Sequence, residues 1–384
     1  MQPSLEAAIR QHLTVLTQQI GARPTGAPGN QRAGAYLRDQ FMKAGWAVET
    51  PTFNCQTWLG GTAKLTCDDS EFAVQANPYS PVFEGSGRLV VCRDLASLEA
   101  HPALSSQFVA LTGDLAQYPY MPKHFPFFSI DEQQQVLALL ERARPAAIIA
   151  VSPTPLFCDA DFPIPSVSLH PDDEAGLLAC ADRELTLSID SRTVASSGYN
   201  VIARAGTGDK RIIVSAHYDT WFDTPGALDN AGGVSALLAL AACLGNPPRR
   251  VELVAFNGED HYAAPGQVLY MQQDLSDVEL VINLDGIAAA NKQNSIAYFI
   301  EDAGLLQRAQ SVKQSFPNLI EVEPWYQSDH AIFAQRGIPA IALCSTEAAE
   351  LSLTLTHTAA DTLEQVDAAK ITEAVSFIAG LVAS

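Results

Sequence analysis

From about residue 198 onward, short apolar runs alternate with segments that carry a helical pattern. The runs RIIVSA, RRVELVAF, VELVINL and GIPAIAL are almost continuously apolar, and the helical segment GGVSALLALAACLG lies between the first two. Strands that are apolar on both faces must be covered on both faces, as in a parallel sheet between two layers of helices. We therefore predict an α/β fold with a mostly parallel mixed sheet sandwiched by helices.

The stretch between about residues 75 and 192 has a different sequence pattern. Short β-like runs are separated by proline-rich loops, and the segment DEQQQVLALLERAR is the one clear helix. We predict that 1–74 and 193–384 form one discontinuous domain, and that 75–192 form an inserted, smaller β-rich α+β domain. Within the first domain we expect helices over 4–19, with Ser4 as N-cap, and over 30–44, with Asn30 as a cap candidate.

The charge balance limits the partners of this chain. Its 384 residues include 43 acidic and 23 basic ones, for a net charge of −20, which argues against binding to nucleic acids or anionic membranes. No run reaches the roughly 18 apolar residues of a membrane span, and the first twenty residues lack the features of a signal peptide. The seven cysteines are scattered without a CxxC pair, which indicates free thiols in a reducing compartment. We therefore expect a cytoplasmic protein.

Acidic residues and histidines follow the apolar runs at the points where those runs end. In an open α/β sheet the carboxyl ends of the strands form the ligand-binding edge, so we expect these side chains to converge there. Taken singly, each has an ordinary explanation: a hydrogen-bonded loop histidine, a helix cap at Asp229-Asn230, or a solvated turn at Glu259-Asp260. Their joint occurrence favours a metal site. The residues are His217, Asp219, Asp229, Glu259, Asp260, Asp285 and His357.

The ligand types indicate how many metal ions such a site holds. Two histidines and three carboxylates without a thiolate suit zinc or a similar divalent ion. Five ligands are too many for one catalytic zinc, which takes three protein ligands and a water, so two ions that share one carboxylate fit better. Glu259, beside the ligand Asp260, is then free to take a proton from a bridging water. This pattern is typical of a two-metal hydrolase.

Several segments resemble the co-catalytic di-zinc exopeptidases, a family that includes bacterial leucyl aminopeptidases, glutamate carboxypeptidase II, glutaminyl cyclases and the transferrin receptor. The resemblance covers about residues 20–50 and 198–384. It is carried, in order, by GARPTGAPGNQRAGAYLRDQFMKAGWAVE, AHYDTWFDTPGALDNAGGVSALLALA, VELVAFNGEDHYAAPGQVLY, VINLDGIA, SDHAIFAQRGIPAIAL and THTAADTLEQVD. In addition, PAAIIAVS and ADFPIPSVSLHPDDEAGLLA resemble a protease-associated domain, with an ordinary β-rich insertion as the alternative.

The resemblance implies a role for each site residue. His217 and Asp285 would bind one zinc, Asp260 and His357 the other, and Asp229 would bridge both. Glu259 would be the general base, whereas Asp219 would orient His217 and Asp361 would orient His357 or cap a helix. The resemblance also implies a cis peptide bond between Asp229 and Asn230. One residue departs from the pattern: Asp260 stands where the family commonly has glutamate.

The expected activity is that of a zinc-dependent exopeptidase, most simply an aminopeptidase acting on peptides or small amides through a metal-bridging hydroxide. The alternatives are a carboxypeptidase, for which Arg336 is the nearest candidate to bind a substrate carboxylate, a glutaminyl cyclase-like enzyme with a single zinc, and a non-catalytic binding protein. Four aromatic residues flank the motifs and either line a substrate pocket or pack in the core: Trp221, Phe222, Trp325 and Tyr326.

Overall fold

The computed structural model describes residues 4–384 and divides the chain into two compact units. One unit runs up to Cys55 and resumes at Ser196, and the other comprises Gln56–Ala195. The second boundary lies close to the predicted one, but the first comes earlier than residue 74. The reason is one long strand, Thr52–Cys67, which carries most of its length into the sheet of the second unit.

The described residues contain sixteen strands and eleven α-helices. The strands are β1 Ala47–Glu49, β2 Thr52–Cys67, β3 Ser70–Phe72, β4 Val74–Ala76, β5 Phe83–Cys92, β6 Gln107–Leu111, β7 Ala147–Val151, β8 Ser166–Leu169, β9 Glu184–Tyr199, β10 Val201–Ala205, β11 Arg211–His217, β12 Arg250–Phe256, β13 Val278–Leu284, β14 Asn294–Phe299, β15 Ile320–Glu321 and β16 Ala340–Ser345. The helices are α1 Leu5–Thr14, α2 Pro28–Lys43, α3 Leu95–Glu99, α4 Asp131–Ala143, α5 Glu174–Leu178, α6 Gly232–Leu244, α7 Pro265–Tyr270, α8 Ala303–Lys313, α9 His330–Ala334, α10 Ala348–Thr354 and α11 Ala368–Ala383.

The sheet of the first unit has the strand order β1-β10-β12-β11-β13-β16-β14-β15. Its four central strands, β12, β11, β13 and β16, run parallel to one another. The pairs β1–β10, β10–β12 and β14–β16 are antiparallel. The prediction of a mostly parallel mixed sheet is therefore confirmed. Because the central strands point the same way, the loops that follow β11, β12 and β13 leave the sheet at one edge.

Both faces of this sheet are covered. Helices α1, α2, α6 and α11 share an apolar core with alternate strand residues such as Val214 and Ala216. Side chains along a strand point alternately to the two faces of the sheet. Phe256, the last residue of β12, lies on the face opposite this core, where it packs against Tyr270 of α7 and Phe333 of α9. The ring centroids are 5.0 and 6.4 Å apart, respectively. Burial on both faces explains why the central strands are almost continuously apolar.

The first two helices confirm one predicted cap and correct another. The Ser4 hydroxyl accepts a hydrogen bond from the Ala7 amide at the start of α1, and a π-helical turn extends this helix to Ile20. Helix α2 begins at Pro28, before the predicted start, because proline needs no amide donor in the first turn of a helix. Asn30 is consequently inside the helix and fully buried, so its prediction as a cap was wrong.

The second unit has its own eight-stranded sheet, in the order β3-β2-β9-β5-β6-β7-β8-β4. Strands β5, β6, β7 and β8 are parallel to one another. The flanking pairs β5–β9 and β8–β4 are antiparallel. Residues of α3, α4 and the parallel strands form a separate apolar core in this unit. The unit therefore has the β-rich α+β character that its sequence predicts.

One helical stretch, Ala227–Leu244, is long and apolar enough to cross a membrane, by its length and composition alone. It combines a π-helical turn with α6, and 83% of it is buried inside the protein. This segment is a central helix of the core, as expected from its apolar residues on all sides.

Candidate metal centre

The residues predicted to bind metal converge at the carboxyl ends of the parallel strands. His217 is the last residue of β11, Asp285 follows β13 directly, and Asp260 lies in the turn after β12. Asp229 lies just before α6, at a break in the helical backbone where the Asp229–Asn230 peptide bond is cis, as the resemblance implied. His357 comes from the loop after α10 and has a φ of 61°, which few residues other than glycine adopt.

These five side chains form two clusters that share one carboxylate. Nε2 of His217 lies 3.0 Å from Oδ1 of Asp229 and 3.3 Å from Oδ1 of Asp285. Nε2 of His357 lies 3.0 Å from Oδ2 of Asp229 and 2.9 Å from Oδ1 of Asp260. The two oxygens of Asp229 thus face different clusters, which is the arrangement that a carboxylate bridging two ions requires.

The charge of the site also suits divalent cations. Burial by itself lowers the pKa of His217, but Asp285, Asp219 and Asp229 outweigh it and raise that pKa well above its usual value. The pKa of His357 is also raised well above its usual value, against the desolvation of its ring, by Asp260 and Asp229. Burial raises the pKa of Asp229, yet the two imidazoles overcome this effect and lower it. The carboxylates therefore attract cations to the site. Imidazole nitrogens and carboxylate oxygens are also ligands that zinc binds in proteins.

Glu259 is in a position to exchange protons with a group held between the clusters. One of its carboxylate oxygens lies within 4.8 Å of ligand atoms of both His217 and Asp260. Burial raises the pKa of Glu259 well above its usual value, and the charges of Asp285 and Asp260 raise it further. A carboxylate with a raised pKa holds a proton more readily, which suits a group that takes up and releases a proton during a reaction.

Asp219 holds the turn that carries Glu259 and Asp260. Its carboxylate accepts hydrogen bonds from the backbone amides of Gly258, Glu259 and Asp260, at 2.8, 3.3 and 3.0 Å, and from the Thr25 hydroxyl at 3.0 Å. Oδ1 also lies 3.7 Å from Nδ1 of His217, an ion-pair distance that is too long for a hydrogen bond. The proposed orientation of the His217 ring by Asp219 thus remains a prediction.

Asp361 supports the shared carboxylate and not the His357 ring. Its two oxygens accept hydrogen bonds from the amides of Leu228 and Asp229, at 2.7 and 3.0 Å. Burial raises its pKa to about 6. The expected pairing of Asp361 with His357 was therefore wrong, because the carboxylate is already engaged by the backbone that presents Asp229.

Arg23 is a functional residue that the sequence analysis missed. It is fully buried, and its guanidinium donates hydrogen bonds to backbone carbonyls that include those of Tyr218, Pro225 and Gly226, in the loop between His217 and Asp229. Burial lowers its pKa to about 10. The segment GARPTGAPG indicated only a turn-rich connector, and no sequence signal distinguishes this buried arginine from an exposed one.

Asp329 is a second missed residue, just before α9. It is 3% exposed, and Oδ1 accepts a hydrogen bond of 2.8 Å from the Gln267 side chain, whereas Oδ2 is buried without a hydrogen-bond partner among the described residues. Burial raises its pKa to about 7, and its charge contributes to the raised pKa of Glu259. The segment SDHAIFAQRG contains it, but an aspartate before a helix also fits an ordinary cap.

The four aromatic residues that flank the motifs occupy different surroundings. The Trp221 ring stacks on His357, with centroids 5.0 Å apart and an interplanar angle of 11°, and Phe222 contacts Trp221 edge-on. Trp325 packs edge-on against His330, and Tyr326 is 56% exposed. Of the four, Trp221 therefore contacts a candidate metal ligand directly.

Comparison with known proteins agrees with the resemblance to zinc exopeptidases. The model of peptidase family M28 matches residues 200–382. A curated relative from Mycobacterium tuberculosis, named as a probable lipoprotein aminopeptidase, LpqL, is 26% identical over 71% of this chain. The match covers 56% of that relative, so this chain spans little more than half of its length.

Solved structures show the same fold over almost the whole chain. A zinc aminopeptidase from Bacillus subtilis superposes with a TM-score of 0.78 at 18% identity, covering 99% of this chain and 94% of that one. A glutaminyl cyclase from Porphyromonas gingivalis superposes with a TM-score of 0.56 at 12% identity, covering 99% of both chains. The match to peptidase family M28 over residues 200–382 confirms the resemblance read from the motifs.

Proposed function

We propose that this protein is a zinc-dependent aminopeptidase that binds two zinc ions, or similar divalent ions, per chain. The observation that carries the proposal is the division of the Asp229 carboxylate, with Oδ1 at 3.0 Å from His217 and Oδ2 at 3.0 Å from His357. His217, Asp229 and Asp285 would hold one ion, and Asp229, Asp260 and His357 the other. The aminopeptidase named among the relatives supports the same activity.

The chain's own residues supply the proton transfers of peptide hydrolysis. When bound, the two metal ions would lower the pKa of a water molecule and polarise the scissile carbonyl. Glu259 takes the proton from the attacking water and passes it to the leaving amine, for which a raised pKa is suitable. Asp219 keeps Glu259 beside the metal ligand Asp260 by binding the backbone of the turn.

The arginines near the site favour a substrate with a free amine over one with a free carboxylate. Arg23 is fully buried with its guanidinium bonded to backbone carbonyls, so it cannot bind a substrate carboxylate. Arg336 is exposed and donates to the carbonyl of Met271. Neither arginine thus offers the anchor that a carboxypeptidase needs.

We further propose that the second unit, residues 56–195, is a protease-associated-like domain. Its support is its own sheet and core together with the sequence resemblance of 145–152 and 160–179 to such domains. A cytoplasmic location remains a prediction from the sequence, and the name of the mycobacterial relative includes the word lipoprotein.

Metal analysis combined with a substrate panel tests the proposed activity. We expect about two zinc ions per chain, hydrolysis of aminoacyl-p-nitroanilides, and no hydrolysis of the same compounds after N-acetylation. Release of the C-terminal residue from N-blocked peptides would indicate a carboxypeptidase instead. Cyclisation of N-terminal glutamine with one bound zinc would indicate a glutaminyl cyclase-like enzyme. A protein with two zinc ions that cleaves no unblocked substrate would contradict the proposal.

A further inference from the structure

The stacking of Trp221 on His357 is a contact that the proposed chemistry does not use. The rings are nearly parallel, at 11°, with centroids 5.0 Å apart. Trp221 lies in the loop after β11, and His357 lies far along the chain in the loop after α10. An indole laid flat on an imidazole restricts the tilt of that ring, because tilting would open the contact on one side.

The two histidine ligands differ in how they are held. His217 ends a central strand and is 1% exposed, whereas the His357 side chain is 39% exposed and its backbone is in the left-handed region. Asp361, the nearby carboxylate, is bound to backbone amides. Both carboxylate contacts of His357 are made through Nε2, so they fix one end of the ring but not the orientation of its plane.

The loop that carries Trp221 is itself anchored. The Thr220 hydroxyl donates a hydrogen bond of 2.9 Å to the Trp221 carbonyl and accepts one of 2.9 Å from the Arg23 amide. Further along the loop, the Thr224 hydroxyl donates to the Thr358 carbonyl, directly after His357 in the chain. The two loops are thus tied together beside the stacked rings, and the indole presents a fixed surface to the imidazole.

We propose that Trp221 is a positioning residue for the metal ion held by Asp229, Asp260 and His357. It fixes the plane of the His357 imidazole so that Nε2 stays directed at both carboxylates. The inference rests on the proposed metal centre and adds a difference between its two ions. The affinity for this ion depends on Trp221, whereas the affinity for the ion held by His217, Asp229 and Asp285 does not.

Zinc titration of the metal-free full-length protein tests the inference without any activity measurement. Competition with a chromogenic chelator gives the affinities of the two zinc equivalents. We expect Trp221→Leu to weaken one equivalent by 10- to 100-fold, the usual loss when a group that supports a ligand is removed, and to leave the other unchanged. Trp221→Phe keeps an aromatic ring and should retain most of the affinity.

Tryptophan fluorescence gives a second, independent signal. Because the indole contacts the ligand ring, its emission should change as one zinc equivalent binds, and the change should be lost in Trp221→Phe. Trp325→Phe is the matched control, since Trp325 also packs against an imidazole, that of His330, which belongs to neither cluster. This control should keep both the fluorescence change and both affinities.

The outcomes separate the inference from the proposed function. Two zinc equivalents of wild-type affinity in Trp221→Leu would overturn the positioning role. An effect of that variant on KM alone, with normal zinc binding, would overturn it as well and identify Trp221 as a substrate contact. A wild-type protein that binds no zinc would overturn the proposed metal centre itself, and the inference with it.

Discussion

Glu259 and Asp260 are neighbours in the chain, but their surroundings differ in a way that fits the different roles proposed for them. Oδ1 of Asp260 lies 2.9 Å from Nε2 of His357, and its side chain is 3% exposed. Glu259 forms no ion pair within the described residues, and the charges of Asp285 and Asp260 hinder its ionisation. Asp260 is thus placed to bind a metal ion, and Glu259 to carry a proton.

Conservative substitutions separate these two roles. In Glu259→Gln the shape is kept and the basicity is lost, so kcat should fall by about 10²–10⁴ while two zinc ions remain bound. The loss should appear in kcat rather than KM, because substrate binding does not require the proton transfer. Asp260→Asn should instead lose one zinc ion and recover part of its activity at high zinc concentration.

Both variants are compared with Glu301→Gln, which changes an exposed glutamate and should match the wild type. Steady-state kinetics and metal analysis are done on the same samples. Near-normal turnover by Glu259→Gln would contradict its role as the base. Loss of zinc from Glu259→Gln, with full zinc in Asp260→Asn, would mean that the two roles are exchanged.

Two of the candidate site residues that the sequence predicts share one property. Asp285 and His217 stand at the end of continuously apolar strands, where an unpaired polar group is costly, so their presence demands an explanation. Arg23 and Asp329 were missed because their local sequence fits surface roles, a turn and a cap. Their burial depends on packing between elements distant in sequence, which no local pattern reports.

At the scale of elements, α1 and α2 contact through a partly buried polar pair. Nδ1 of His12 in α1 lies 2.6 Å from the Tyr36 hydroxyl in α2. Burial lowers the pKa of His12 to about 4 and raises the pKa of Tyr36 to about 12, so both groups are neutral at pH 7. Sequence patterns predicted both helices, but not this contact, because it depends on how the helices pack.

This contact predicts an acid sensitivity. Below pH 6.5 the unfolded chain protonates His12, but the folded protein resists protonation down to about pH 4, so stability falls as pH decreases through this window. Between pH 7 and pH 4 the loss attributable to His12 should be about 3 kcal/mol. In His12→Gln this part of the pH dependence should disappear.

Unfolding of the metal-free protein by urea, measured at pH 7 and pH 4, checks the prediction. The other titrating groups are present in both proteins, so they cancel in the difference between wild type and variant. His124→Gln, which replaces an exposed histidine, should behave as the wild type does. Equal losses of stability in wild type and His12→Gln would show that the partly buried pair does not couple folding to pH.

At the scale of the whole molecule, each of the two units has an apolar core of its own. The core around the central sheet contains residues of the first unit alone, from Ile9 to Trp46 and from Val201 to Val382. The second core contains residues between Cys92 and Ile164. The change of sequence pattern near residue 75 predicted an insertion, but the second unit starts earlier, at Gln56. The sequence pattern does not show this start because the strand Thr52–Cys67 begins in one unit and continues in the other.

The separate cores predict that the first unit folds without the second. Cys55 and Ser196, its two boundary residues, lie beside each other around Gly26: a Cβ at Gly26 would be 2.8 Å from Cys55 Sγ and 3.1 Å from Ser196 Cβ. A flexible linker of about four residues can therefore join 55 to 196.

We expect the shortened chain to unfold cooperatively on heating and to bind as many zinc ions as the full chain, because all of the ligands lie in the retained unit. Its hydrolysis of small aminoacyl anilides should persist, because the proposed catalytic residues lie in the retained unit. A shortened chain without a cooperative transition, at a zinc concentration that saturates the full protein, would show that the long strands β2 and β9 make the two units fold as one.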